Sequence, residues 1–154
     1  MQTIFFRSNL PLIYKDELER IFFFNTNQKR YQKKIEEAIE LYGVPHIFTD
    51  ENNIIFTFDK ITSFQTLYAL DNDSDSAVLL GIIHFYRDFP SNMKIIHIAV
   101  DEDCSFSGEY TEETIAARLV DEVRKISSAI RNVKTISLPY SNYKISLNTE
   151  LSFY

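Results

Sequence analysis

In residues 93–138 the sequence reads MKIIHIAVDEDCSFSGEYTEETIAARLVDEVRKISSAIRNVKTISL, and this stretch decides the fold. An apolar strand leads into a polar loop with one glycine, then into a long amphipathic helix and a second apolar strand. Within the helix, apolar residues return every three or four positions, at Ile115, Leu119, Val123, Ile126 and Ile130. Two strands joined by a helix-length crossover predict a β-α-β unit with parallel strands.

Strand patterns also precede this unit. We predict strands at 3–6, 46–49, 54–58, 64–70 and 78–86. The short turn at 88–92 predicts that strand 78–86 pairs antiparallel with strand 94–100, which brings His84 and His97 opposite each other. The chain is therefore predicted to have an α/β fold with a mixed sheet, in which antiparallel strands are followed by the β-α-β unit.

Two amphipathic helices are predicted before the first hairpin. In the first, Tyr14, Leu18 and Phe22 recur at helical spacing. The second extends to about Tyr42, where Gly43 and the following proline stop it. With helix 112–131, these helices are expected to pack on the sheet.

Composition limits the functional classes. A chain of 154 residues with 45% hydrophobic and 25% charged residues fits one globular domain, 1–154. The formal net charge of −6 argues against a broad nucleic-acid-binding face, so no nucleic-acid partner is expected. The single cysteine, Cys104, cannot form an intrachain disulfide, which favours a reducing cytoplasm.

No membrane association and no metal site are expected. The first residues lack the basic and apolar regions of a signal peptide, and no apolar run approaches the ~18 residues of a membrane span. The two predicted strand histidines have no third ligand at a recognisable spacing. Asp71, Asp73 and Asp75 lack the glycine and distal glutamate of a calcium loop, so this segment is interpreted as a turn.

The order of elements across nearly the whole chain resembles the GNAT superfamily of acyl-CoA N-acyltransferases. Residues 71–86, which contain an acidic turn and Gly81, resemble that family's second and third strands and the short turn that joins them. Strand 95–100 resembles its fourth strand, which splays from the next one and binds the pantetheine arm through backbone groups. The resemblance implies that Ile98, Ala99 and Val100 contact acetyl-CoA and that Gly108 meets its phosphates.

The loop after this strand departs from the family. The family's phosphate loop carries a basic residue and several glycines, whereas 101–113 reads DEDCSFSGEYTEE. It contains six carboxylates, no cation and only Gly108. Glycines allow backbone N–H groups to approach a pyrophosphate, and carboxylates repel it. The sequence therefore predicts weak or absent acetyl-CoA binding.

Two residues are candidates for accepting the proton of an amine substrate. His97 lies in the middle of the predicted fourth strand, and a histidine pKa lies near working pH. Glu102 follows that strand and can activate an amine through a water molecule. The alternative interpretations are a half-buried structural histidine and a solvated loop carboxylate. Cys104 lies near a helix start, which lowers a thiol pKa, but its acidic neighbours act in the opposite direction.

Two functions follow from these features. The first is a divergent GNAT-like acyltransferase that transfers an acyl group from acyl-CoA to a small-molecule or protein amine. The second is a GNAT-like domain without catalysis that acts as a protein-binding or assembly module. The family's fold favours the first, and the acidic loop favours the second.

The end of the chain predicts an exposed strand edge. The family has two further strands after its terminal helix, and this chain ends at Tyr154, so the domain is expected to be shortened there. Strand 133–138 then has unpaired backbone groups along one side. We expect the tail 141–154, a helix candidate, or a second copy of the chain to cover this edge. A twofold homodimer is the preferred prediction.

Overall fold

The computed structural model of the protein describes residues 3–23, 32–74, 76–101, 112–139 and 144–147, and all structural statements below concern these residues. None of its helices in this part of the chain is long and apolar enough to cross a membrane. The strands are β1 (Phe5–Arg7), β2 (Pro45–Thr49), β3 (Ile54–Phe58), β4 (Gln65–Leu70), β5 (Leu79–Phe89), β6 (Asn92–Val100), β7 (Thr135–Ser137) and β8 (Lys144–Ser146). The helices are α1 (Lys15–Phe23), α2 (Gln32–Tyr42), α3 (Glu112–Ser128) and a 3₁₀ helix (Leu12–Tyr14).

Six strands form one mixed sheet in the order β1-β4-β5-β6-β7-β8. Neighbouring strands are antiparallel except for β6 and β7, which run parallel and are connected through α3. The predicted α/β architecture, with antiparallel strands followed by a β-α-β unit, is confirmed. β2 and β3 form a separate antiparallel hairpin, also as predicted.

The predicted apolar face of α3 packs on one side of the sheet. Ile115, Leu119 and Val123 have no exposed surface and join a core with residues of β5 and β6. At Gly81 of β5, an added Cβ would lie 3.0 Å from the carbonyl oxygen of Ala99 and 3.2 Å from side chains of α3. The absence of a side chain at Gly81 therefore lets the helix approach the strand closely.

The other side of the sheet is covered by α1 and the hairpin. Leu18, Ile21 and Phe22 of α1 are buried there with Phe56 of β3. These are the apolar positions that the helical spacing of the sequence predicts. The sheet is therefore enclosed between two layers, and β6 contributes side chains to both.

α2 ends where the sequence predicts. Its last residue is Tyr42, and Gly43 follows with φ +87°, a left-handed conformation that favours glycine. The Gly43 N–H donates to the carbonyl oxygen of Ile39 at 2.8 Å. An added Cβ at Gly43 would lie 2.7 Å from Cβ of Asp59, so the hairpin crosses close to this turn.

The strand boundaries differ from the predicted ones at several ends. β5 and β6 extend toward each other to Phe89 and Asn92, so the predicted turn at 88–92 narrows to a tight hairpin connection. β7 is shorter than predicted, at Thr135–Ser137, and β1 lies slightly later, at Phe5–Arg7.

The C-terminal tail is where the prediction is wrong. The helix expected within 141–154 is replaced over Lys144–Ser146 by β8, and the rest of that predicted helix lies outside the described residues apart from Leu147. β8 pairs antiparallel with β7, with Ile136 opposite Ile145. The tail therefore covers the β7 edge, as one of the two predicted alternatives, and the homodimer stays a prediction.

Candidate functional site

The parallel ladder between β6 and β7 is short. It joins Asn92, Met93 and Lys94 to Thr135, Ile136 and Ser137. β6 then continues to its end at position 100, while β7 stops. In the described part of the chain, β6 is therefore paired on both sides at its start and with β5 alone at 95–100. In an antiparallel pair, alternate residues direct their backbone N–H and C=O groups away from the partner strand.

The start of this ladder is held by the side chain of Asn92, which is buried. Its Nδ2 donates to Asp88 Oδ1 at 2.7 Å and to Ser137 Oγ at 3.0 Å. Its Oδ1 accepts from Thr135 Oγ1 at 2.7 Å. One amide therefore connects the end of β5, the start of β6 and both ends of β7. From its sequence, Asn92 is predicted only to belong to the turn at 88–92.

A β-bulge interrupts β6 next to its central histidine. His97 pairs with His84, whereas Ile95 pairs with Phe85, so Ile96 is an additional residue in β6. Consecutive strand residues normally point to opposite faces. Because of the bulge, Ile96 and His97 both line the same cavity.

This cavity, the α2 cavity, has a volume of about 280 Å³ and lies between α1, α2, β3 and β6. Its described lining is largely apolar. It includes Phe22, Ala38, Tyr42, Phe58, Ile96 and His97. Concave, mostly apolar pockets with few polar groups are the usual form of small-molecule sites. The helical spacing of the sequence locates the apolar face of α1, but not the space between α1 and α2.

His97 is therefore placed at the wall of a cavity, as a candidate base must be. The ring of Phe22 meets the imidazole edge-on, with 4.8 Å between centroids. Burial disfavours the charged imidazolium and lowers the pKa of His97 to about 4. The imidazole is thus neutral at physiological pH and able to accept a proton, although it is a weak base.

His84 lies opposite His97, as predicted, but its side chain is enclosed in the core. Four phenylalanine rings surround its imidazole, with centroids 4.4 to 5.7 Å away, on Phe22, Phe56, Phe58 and Phe64. Its Nδ1 is 2.9 Å from Thr66 Oγ1, and its Nε2 is buried without a hydrogen-bond partner among the described residues. Burial and then the neighbouring His97 lower the pKa of His84 well below its ordinary value.

The residues predicted to bind the cofactor lie on β6 at 98–100. Ile98 and Val100 pack toward the α3 side, and Ala99 packs in the core on the α1 side. Their neighbours across the ladder are Ile83, Ile82 and Gly81 of β5. Glu102 and Gly108, the other two predicted site residues, lie outside the described residues, as does Cys104.

An ion pair that no sequence pattern indicates lies at the end of β6. The side chain of Asp101 is only 7% exposed, and its Oδ2 lies 3.1 Å from an Arg20 guanidinium nitrogen. The Asp101 N–H donates to the carbonyl oxygen of Leu80 at 2.9 Å. One of the six loop carboxylates is therefore anchored to α1 and compensated by a cation. The pair is 81 positions apart in the chain, so no local pattern reveals it.

A second concavity, the α3 groove, lies on the other side of the sheet from the α2 cavity. It has a volume of about 340 Å³, and its lining includes Ala116, Ala117, Val120, Arg124, Leu138 and Ile145. It runs between α3 and the strands β7 and β8. The α2 cavity and the α3 groove are thus formed by the two different layers that enclose the sheet.

No group of three or more His, Cys, Asp or Glu side chains that could hold a metal ion occurs in the described ranges. Comparisons with protein-family models, with curated proteins and with solved structures find no match for this chain.

Proposed function

We propose that the protein is a divergent GNAT-like N-acyltransferase that transfers an acyl group from acyl-CoA to an amine. The observation that carries this proposal is the short parallel ladder of β6 and β7 beside a cavity that contains His97. Past Lys94, β6 has no partner on its β7 side among the described residues, which would leave an opening in the sheet. Two substrates approaching from opposite layers can meet at such an opening.

The two concavities fit a donor and an acceptor. The α3 groove would take acyl-CoA, with the thioester directed to β6 and backbone N–H groups of Ile98, Ala99 or Val100 stabilising the oxyanion. The α2 cavity would take the amine. Gly108 remains the proposed contact for the phosphates, as the resemblance implies. Most of the catalytic effect would then come from positioning.

The chemistry requires a single proton acceptor. The lone pair of the amine attacks the thioester carbonyl carbon, a C–N bond forms, and the C–S bond breaks as the tetrahedral intermediate collapses. The amine proton passes to Nδ1 or Nε2 of His97 and finally to the departing thiolate. Glu102, acting through water, is the alternative acceptor.

The acidic loop favours a second candidate, a protein-binding or assembly module without catalysis. Arg20 compensates Asp101, but five further carboxylates remain in 102–113. They would repel the phosphates of acyl-CoA, and the repulsion weakens as salt screens it. The acyltransferase proposal therefore predicts weak acetyl-CoA binding that tightens with salt, whereas the module predicts none.

Calorimetric titration with acetyl-CoA and with CoA, at about 50 mM and about 500 mM salt, separates the two candidates. Heat of binding at the higher salt supports the acyltransferase, and its absence at both salts overturns it. Ala117→Glu adds a carboxylate to the α3 groove and should weaken binding. Ser128→Glu, at the exposed end of the same helix, is the matched control, and equal affinities in both variants would place the cofactor elsewhere. Gly108→Glu tests the loop in the same way.

A further inference from the structure

Among the described residues, the lining of the α2 cavity is poorly suited to a cationic ligand. Its described lining contains no carboxylate. One lining ring also lies beside a cation, because Lys94 Nζ is 5.5 Å from the centroid of the Tyr42 ring. Transfer of an ammonium group from water to such a site is costly without a paired anion. An alkylamine, which is an ammonium ion at neutral pH, is therefore a poor ligand for this cavity.

The rest of the lining favours an aromatic ligand. Phe22, Tyr42 and Phe58 present rings to the cavity, and Ala38 leaves room between α2 and the sheet. Aromatic rings pack edge-to-face with one another, with a gain beyond their buried area. A volume of about 280 Å³ is at the lower end for small-molecule pockets, so it fits one substituted ring system rather than a long chain.

We propose that the acceptor bound in the α2 cavity is a small aromatic amine that is uncharged at physiological pH, with its amino group directed to His97. This inference rests on the acyl transfer proposed above, but the ligand class can be tested without acyl-CoA.

The basicity of His97 agrees with this assignment. An imidazole with a pKa of about 4 cannot remove the proton of an alkylammonium ion, whose pKa is about 10 as for lysine. An arylamine already carries a free lone pair at neutral pH and needs no such step. After attack on the thioester, its nitrogen becomes positively charged and far more acidic. The proton can then pass to His97 as the amide forms, and on to the thiolate as CoA leaves.

Two isomers provide a matched pair of probes. 4-Methylaniline and benzylamine have the same atoms and one ring each, but at pH 7.5 the first is neutral and the second is a cation. In an NMR titration of the full chain, we expect 4-methylaniline to bind at least about tenfold more tightly, with amide shift changes centred on Ala38, Phe58 and Ile96. Benzylamine binding equally well or more tightly overturns the inference, as do shift changes centred elsewhere.

Substitution of Ala38 tests independently whether the ligand binds in the α2 cavity. Ala38→Leu fills the α2 cavity and should weaken 4-methylaniline binding at least about fivefold, whereas Ala129→Leu, at an exposed position after α3, should leave it unchanged. Should Ala38→Leu fail to fold, Ala38→Val makes the same test with a smaller side chain. Equal binding by wild type and a folded Ala38 variant overturns the assignment to this cavity.

An acyl-transfer assay with acetyl-CoA separates failure of this inference from failure of the proposed function. Acetylation of 4-methylaniline in preference to benzylamine supports both. Acetylation of benzylamine alone overturns the aromatic-amine inference and leaves acyl transfer standing. Binding of 4-methylaniline at Ala38 without any acetylation overturns acyl transfer and supports the ligand class.

Discussion

His84 and His97 lie directly opposite each other on β5 and β6, and both are buried. Burial of each imidazole favours its neutral form, and the proximity of the two rings makes protonation of His84 less favourable still. The pair has two different surroundings, because His84 is enclosed by phenylalanines while His97 reaches a cavity. His84 is thus enclosed in the core, and His97 lines the α2 cavity.

This pair predicts loss of stability in mild acid. The pKa of His97 is about 4 in the folded chain and about 6.5 when unfolded, so the unfolded state binds more protons between these values. The free energy of unfolding should therefore be fully present above pH 6.5 and should fall by about 3 kcal/mol for His97 as the pH drops to 4. His84 acts in the same direction. Urea unfolding at a series of pH values measures the slope.

The variant His97→Gln should reduce this slope between pH 6.5 and 4. His46→Gln removes an exposed histidine and controls for the loss of one imidazole from the chain. A slope that is as steep in His97→Gln as in wild type would assign the acid sensitivity to other groups.

Removal of the Asn92 side chain should destabilise the chain. Asn92→Ala deletes the buried amide that bonds Asp88, Thr135 and Ser137, and a buried polar group left without its partner costs about 1–3 kcal/mol. Asn72→Ala, in the exposed turn before β5, should change the free energy of unfolding by less than about 0.5 kcal/mol. Comparable effects of the two substitutions would contradict the role given to Asn92.

The ion pair between Arg20 and Asp101 should show measurable coupling. Asp101 is almost fully buried, but Arg20 is about a third exposed, so solvent screening reduces the interaction. A double-mutant cycle with Arg20→Met and Asp101→Asn should give a coupling free energy of about 1 kcal/mol. The solvent-screened pair of Lys15 and Glu19 on the same helix should give a smaller coupling free energy. Coupling no larger than in this control pair would mean that the contact does not anchor β6 to α1.

Substitution of Gly81 by alanine should lower the free energy of unfolding. In Gly81→Ala, the Cβ would press on the Ala99 carbonyl oxygen and on Ile115 and Leu119, and this overpacking should cost about 1–3 kcal/mol. Gly81→Val should cost more, because it adds atoms at the same place. Thermal and urea unfolding measure both, and a neutral Gly81→Ala would show that α3 is packed less closely on β5.

Disruption of β8 should make the chain associate. Ile145→Pro removes a backbone donor and constrains the strand that pairs with β7. We expect faster amide exchange at Ile136 and self-association of the variant in sedimentation velocity. Lys144→Ala, an exposed change in the same strand, is the control. A variant that sediments as the wild type does would show that the β7 edge is protected in another way.

Elements with long, regular patterns could be predicted from the sequence. The spacing of Ile115, Leu119 and Val123 identifies α3 and its buried face, and all three are fully buried. Apolar strands on either side of a short turn identify the β5–β6 hairpin, and with it the position of His84 opposite His97.

Features that depend on one inserted residue or on distant contacts could not be predicted. The extra residue at Ile96 leaves no mark in the alternation of an almost wholly apolar strand. The three residues of β8 are too few for a periodic signal, and Arg20 meets Asp101 only because α1 packs beside β6. The α2 cavity depends on the bulge at Ile96 and on the packing of α1 and α2, so His97 could be named as a candidate from the sequence, but its surroundings could not be predicted.

The amide of Asn92 also has a consequence for the order of events during folding. Its contacts with Thr135 and Ser137 join positions 43 and 45 residues apart, whereas the β5–β6 hairpin closes over two residues. Loop closure over such a distance is entropically costly and is expected late, after the local hairpin has formed. Substitutions at Asn92 should therefore accelerate unfolding while leaving the folding rate nearly unchanged. The junction of β6 and β7 would then be the last part of the sheet to assemble and the first to come apart.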